Sequence, residues 1–181
     1  MRLASFALFI TWTTYGTWLP GDRRGYVSRT LPADGVFQPK RNQTGSPITP
    51  GNAQTLATAQ KAQKYDTVWL DRTQALIAAQ AIRQAALKRR WVIIRASVMA
   101  NHIHTLTTAC PDDGPGVRRV LKGVSSAELS KAADRPHRWW TQGGSDRYLH
   151  DPAAIGAAER YIRNQRGILC EIVAMQVIPR K

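Results

Sequence analysis

The sequence predicts an α+β domain, and three observations carry that prediction. Residues 3–14 are apolar on both alternating faces, as in a strand buried on both sides. Residues 71–90 and 117–133 carry apolar stripes at helical spacing. Between them, residues 91–99 and 102–108 read as two strands joined at Ala100-Asn101. The order is strand, helix, strand, strand, helix, and 181 residues suffice for one domain with a core.

In the first strand Phe6, Leu8, Ile10 and Trp12 share one face and Leu3, Ala7 and Phe9 the other. The run passes directly into Thr11-Trp12-Thr13-Thr14-Tyr15 with no small-residue cleavage site, so it reads as a strand and not as an export signal. It ends at Gly16, and Pro20-Gly21-Asp22 marks a turn. Residues 20–66 form a long Gly- and Pro-punctuated insertion carrying Arg23, Arg24, Arg29, Lys40 and Arg41. Its tail, residues 52–65, has the density of Ala, Gln and Lys expected of a short helix. Asp71 then caps the helix whose stripe is Leu76, Ile77, Ala79, Ile82, Ala86 and Leu87, and Lys88-Arg89-Arg90 suit its C-terminal dipole.

After the hairpin, Val117, Val120, Leu121, Val124 and Leu129 face inward on the second long helix, with Arg118, Arg119 and Lys122 on its other side. Arg138, Trp139 and Trp140 interleave cation and aromatic, which suits phosphate contact with base stacking; a fourth strand with one of the tryptophans in the core fits equally. Asp151-Pro152 opens a last helix that runs to about Arg166 and closes at Gly167. Residues 168–177 read as a final strand or docked tail.

The charge is the strongest bulk property. There are 26 Lys and Arg against 12 Asp and Glu, a net charge of +14, and the pI is about 10.7. That excess favours a nucleic-acid partner and argues against an interaction domain with no polyanion. No long basic amphipathic helix speaks for a membrane surface, and no run is long enough to span one. The two cysteines, Cys110 and Cys170, are far apart and in no C-x-x-C arrangement, which fits a reducing cytoplasm.

One constellation carries chemistry. His102 and His104 flank Ile103, so in a strand both imidazoles share one face. Such a pair is half of a metal site; it equally suits two polar residues on an open sheet face. Tyr161 and Gln165 are four apart on the last helix and project from one side of it. If that side leans over the hairpin, Gln165 completes the coordination and Tyr161 stands beside the ion. A divalent ion withdraws charge from a phosphodiester, and a tyrosine can then attack it. By itself, a tyrosine on an amphipathic helix reads more simply as a core aromatic.

The chain resembles the single-tyrosine HUH transposases, of the insertion-sequence and REP-associated kinds. The likeness is carried, in order, by the residues 13–22 (TTYGTWLPGD), by Asn101-His102-Ile103-His104, by Arg147-Tyr148-Leu149 and by Tyr161-x-x-x-Gln165. It spans residues 6 to about 167. The resemblance implies a ferredoxin-like antiparallel sheet, helices packed on one face, and a mobile C-terminal tyrosine helix. It implies that His102, His104 and Gln165 hold Mg²⁺ or Mn²⁺. It implies that Tyr161 cuts single-stranded DNA at hairpins, leaving a 5′-phosphotyrosine and a free 3′-OH. Arg23, Arg24, Lys40, Arg41, Arg118, Arg119, Lys122, Arg138, Trp139 and Arg163 would grip the DNA. A domesticated relative that mainly binds structured single-stranded DNA or RNA is the alternative. Both monomers and homodimers occur among such proteins. Two departures stand out: Ala100 replaces a frequent proline, and the 20–66 insertion is long.

Overall fold

A computed structural model describes residues 6–24, 50–108, 110, 112–134 and 137–180. The chain forms two compact units, one of Met1–Tyr15 and Val68–Lys181 and one of Gly16–Thr67.

The larger unit is a six-stranded antiparallel sheet in the order β4-β1-β3-β2-β5-β6. Its strands are β1 (Ala7–Thr13), β2 (Val92–Met99), β3 (His102–Thr108), β4 (Ser145–Leu149), β5 (Ile168–Val173) and β6 (Gln176–Pro179). The first four, in the order β4-β1-β3-β2, are two interleaved β-α-β units, the ferredoxin-like arrangement. β1 is an inner strand, as its two apolar faces require.

The helices of this unit are α2 (Arg72–Arg89), α3 (Gly114–Ala132) and α4 (Pro152–Arg163). In α2 a full capping box stops the N-terminus: Asp71 accepts the Gln74 N–H and Gln74 accepts the Asp71 N–H. α3 begins one turn earlier than its apolar stripe suggests, because Asp113 caps it and Pro115 sits in its first turn. α2 and α3 pack on one face of the sheet, over Leu8, Ile10, Trp12, Ile93, Ala96, Val98 and Ile103.

α4 lies on the opposite face. Asp151 caps it by accepting the Ala154 N–H at 2.7 Å. Ala158 and Ile162, four apart and both buried, press on Ala7, Leu106 and Leu149. The sheet thus carries α2 and α3 on one face and the tyrosine helix on the other. The helix also ends at Arg163, with Asn164 as C-cap, a turn short of the expected Arg166. Residues 168–177 are not one strand: β5 and β6 form a hairpin whose turn, Ala174-Met175, is left-handed at both positions.

The smaller unit holds α1 (Ala53–Lys61), the expected short helix, capped by Asn52. Gly21, at φ +87°, lies against it; a Cβ there would stand 2.3 Å from the Leu56 nitrogen.

Candidate active site

The α4 face of the sheet is where the singled-out residues meet. β3 turns His102, His104 and Leu106 toward α4 and Ile103 toward the core of α2 and α3. The two imidazole centroids are 4.7 Å apart. Tyr161 flanks Ile162 on α4, so its ring leaves the buried stripe sideways and meets His104 edge-on, with centroids 5.3 Å apart. Phe9, on β1, props both, 5.6 Å from His104 and 5.9 Å from Tyr161. Tyr161 remains 53% exposed and so is open to a large substrate.

Hydrogen bonds orient the rings. The Nδ1 of His104 is 2.7 Å from the Thr11 hydroxyl, directly across the β1–β3 pair. The Nδ1 of His102 is 2.6 Å from the Asn101 side-chain oxygen. A carboxamide oxygen only accepts, so that Nδ1 carries the proton, and in the neutral ring Nε2 of His102 bears the lone pair. His104 is 4% exposed, and its Nε2 has no partner among the described residues. Burial and the neighbouring His102 hold its pKa down at about 3, so it stays neutral at any working pH.

A buried, neutral imidazole with an orphaned Nε2 is the donor that a transition-metal or Mn²⁺ site needs. The residues present fit such an ion in part. Among the described residues no cluster of three His, Cys, Asp or Glu forms. A third protein ligand from the described residues would then be an amide, hydroxyl or backbone carbonyl oxygen. Gln165 lies just past the end of α4 and donates its side-chain N–H to the Tyr161 carbonyl at 3.0 Å. That bond folds the amide back along its own helix. The ligand expected to close the set is thus held beside Tyr161.

Next to the histidines a charged chain crosses the sheet. A bulge in β2 between Ile93 and Arg95 turns both Ile94 and Arg95 toward α4. Arg95 reaches Glu159 of α4 at 3.4 Å and the wholly buried Glu171 of β5 at 3.1 Å. Glu171 is closed on its other oxygen by Arg180. Ser97, facing His104 across β3 and Glu171 across β5, is buried with its hydroxyl unpartnered among the described residues. Thr11, His104, Ser97 and Glu171 therefore form one polar row under α4.

The expected DNA-gripping residues divide. Lys40 and Arg41 lie outside the described residues. Arg23, in the smaller unit, and Arg119 and Arg163, in the larger, are exposed. Arg24 is taken up by Asp22, by the Thr17 carbonyl and by the Trp18 ring; this arginine holds the Asp22 carboxyl down at about 2. Arg138 is exposed, with its guanidinium over Tyr15. Three of the expected residues are engaged within the protein. Arg118 is paired with Asp146. Lys122 donates to the Thr141 and Gly143 carbonyls at 2.5 and 2.7 Å, and burial lowers its pKa to about 8. Trp139 is in the core, its indole N–H donated to Ser130. All three fix the 139–146 segment against α3. Thr11 and Phe9 escaped the sequence reading as site residues; the one hint was a threonine interrupting the apolar run of β1.

In overall structure the chain is similar to a REP-associated tyrosine transposase bound to a REP hairpin, at 13% identity and a TM-score of 0.46, with 88% of this chain covered. This chain spans 65% of the length of that one. It is also similar to a candidate transposase from Deinococcus radiodurans R1, at 16% identity and a TM-score of 0.40, covering 88% of this chain and 89% of that one. No family model and no curated protein matches the sequence.

Proposed function

We propose that this chain is a transposase-type nuclease and strand transferase that acts on hairpin-bearing single-stranded DNA through Tyr161. The observation that carries the reading is the meeting of Tyr161 with the oriented pair His102 and His104 on the α4 face of the sheet. In the reaction the Tyr161 hydroxyl oxygen bonds to phosphorus and releases its proton to solvent. The bond from phosphorus to the 3′ oxygen breaks, and that oxygen leaves as a hydroxyl after taking up a proton. The 5′ side remains as phosphotyrosine. His102 and His104, with Gln165 after its amide turns, would hold Mg²⁺ or Mn²⁺, which withdraws charge from the phosphate. Thr11 and Asn101 fix the two rings, Phe9 fixes the Tyr161 ring, and α4 delivers the hydroxyl. The net charge of +14 suits the polyanionic substrate, and two free, buried cysteines suit a cytoplasmic location.

A second reading is favoured by one observation. Gln165 is turned onto its own helix, which suits a protein that mainly binds structured single strands, DNA or RNA, and cleaves weakly.

The test is incubation with pooled single-stranded DNA hairpins and Mn²⁺, followed by a denaturing protein gel. A labelled band at protein-plus-DNA size, absent in Tyr161→Phe and in EDTA, is the expected result. Tight binding without an adduct would favour the second reading.

A further inference from the structure

We propose that Arg147 is a phosphate-binding residue that positions the strand for Tyr161, an assignment that rests on the function proposed above. β4 is an edge strand, paired only with β1. Its Leu149 belongs to the apolar cluster under α4, so Arg147, two residues away, points to the same face. The register sets Arg147 directly opposite Phe9, and Phe9 is the residue whose ring touches both Tyr161 and His104. Directly paired residues on one face stand about 5 Å apart. The guanidinium therefore rises one strand away from the nucleophile.

Its neighbours in the strand turn the other way and are engaged: Asp146 with Arg118, and the Tyr148 hydroxyl with the Gly114 N–H. Arg147 is exposed and makes no hydrogen bond or ion pair among the described residues. Arg95 makes the contrast. It also projects from the sheet toward α4, but Glu159 and Glu171 neutralise it. No carboxylate pairs with Arg147 among the described residues, so its fork of N–H donors is available to the non-bridging oxygens of a phosphodiester. With the edge of the sheet open beside it, a single strand can lie along β4 and present its next phosphate to Tyr161.

The experiment compares wild type, Arg147→Ala and Arg147→Lys with labelled pooled single-stranded DNA hairpins and Mn²⁺. Thermal melting of all three is expected to coincide, because the side chain is exposed and has no hydrogen bond or ion pair among the described residues. The slope of log affinity against log salt should become shallower by about 0.7 in Arg147→Ala, the loss of one single-strand phosphate contact, and should be kept in Arg147→Lys. The rate of Tyr161 adduct formation at saturating DNA should fall on the order of 10- to 100-fold in Arg147→Ala, through misplacement of the phosphate. A lysine, lacking the bidentate fork, should restore only part of it. Normal wild-type adduct with an unchanged slope and rate in Arg147→Ala would overturn the assignment and leave the proposed function standing. A wild type that forms no adduct would overturn both.

Discussion

The two faces of the sheet are built on opposite rules. The face under α2 and α3 is filled by Leu8, Ile10, Trp12, Ile93, Val98 and Ile103, interrupted only by small residues such as Ala96, Thr105 and Thr107. The face under α4 holds an apolar patch at one end, around Leu106, Ala158 and Ile162, and a polar row beside it. The first face stabilises the molecule by removing apolar area from water. On the second, imidazole, hydroxyl and carboxylate are buried at a cost, and His104 Nε2 and Ser97 Oγ are left without partners. Unpartnered buried polar atoms occur on both faces among the described residues, Trp12 Nε1 and the Thr105 and Thr107 hydroxyls on the first and Ser97 Oγ and His104 Nε2 on the second; what sets the second apart is its buried imidazole and carboxylate, His104 and Glu171.

Substitutions on adjacent residues of β3 probe that contrast most strongly. Ile103→Ala should cost about 2–5 kcal/mol, read as a lower urea midpoint. His104→Leu, one residue on, should change stability by no more than about 1 kcal/mol in either direction, since the lost hydrogen bond to Thr11 is offset by removal of a buried unpaired nitrogen. It should also abolish adduct formation. A His104→Leu protein as unstable as Ile103→Ala would erase the distinction between the faces.

A smaller effect is expected at Thr11. Thr11→Val keeps the strand and removes the hydroxyl beside the His104 Nδ1, and Mn²⁺ affinity by titration calorimetry should fall about 10- to 100-fold. Unchanged affinity would mean that Thr11 does not orient the ring.

Acid should also separate the faces. In the folded, metal-free protein His104 titrates near 3, against 6.5 in the unfolded chain. Between those values the unfolded chain binds a proton that the native state does not, so stability falls as pH drops through this window and is flat above it for this group. Urea melts of wild type and His104→Leu across the window should show a steeper loss in wild type. Parallel curves would mean that the ring is solvated.

The smallest effect is predicted at Trp139. Trp139→Phe loses the indole N–H bond to Ser130 and should cost about 1 kcal/mol. Its affinity for single-stranded hairpins should match wild type; a large loss of binding would return Trp139 to the DNA surface.

Much of this was legible before any coordinates. The strand-helix-strand-strand-helix order rests on periodicity, and β1, α2, β2 and β3 follow it. The shared face of His102 and His104 follows from the two-residue period of a strand. Asp71 and Asp151 were readable as caps because a short acidic side chain at a helix start satisfies free N–H groups. What the sequence left open depends on contacts between distant residues. Arg118 and Lys122 look like a free basic stripe on a helix, yet Asp146 and two carbonyls of the 141–143 turn use them up. The β5–β6 hairpin has no glycine or asparagine at its turn. Ala174 and Met175 adopt left-handed conformations because tertiary bonds hold them: the Ala174 N–H to the Ile94 carbonyl, the Arg83 side chain to the Met175 carbonyl, and the Met175 sulfur to the Ile93 N–H. The sequence by itself determined which side chains could share a strand face or a helix stripe, since those periods are local. Only the tertiary structure decided which side of the sheet α4 would cover, and with it that Tyr161 meets His104 and that Gln165 stays on its own helix. Burial of Ala158 and Ile162 against Leu106 and Leu149 sets that choice, and no local signal encodes it.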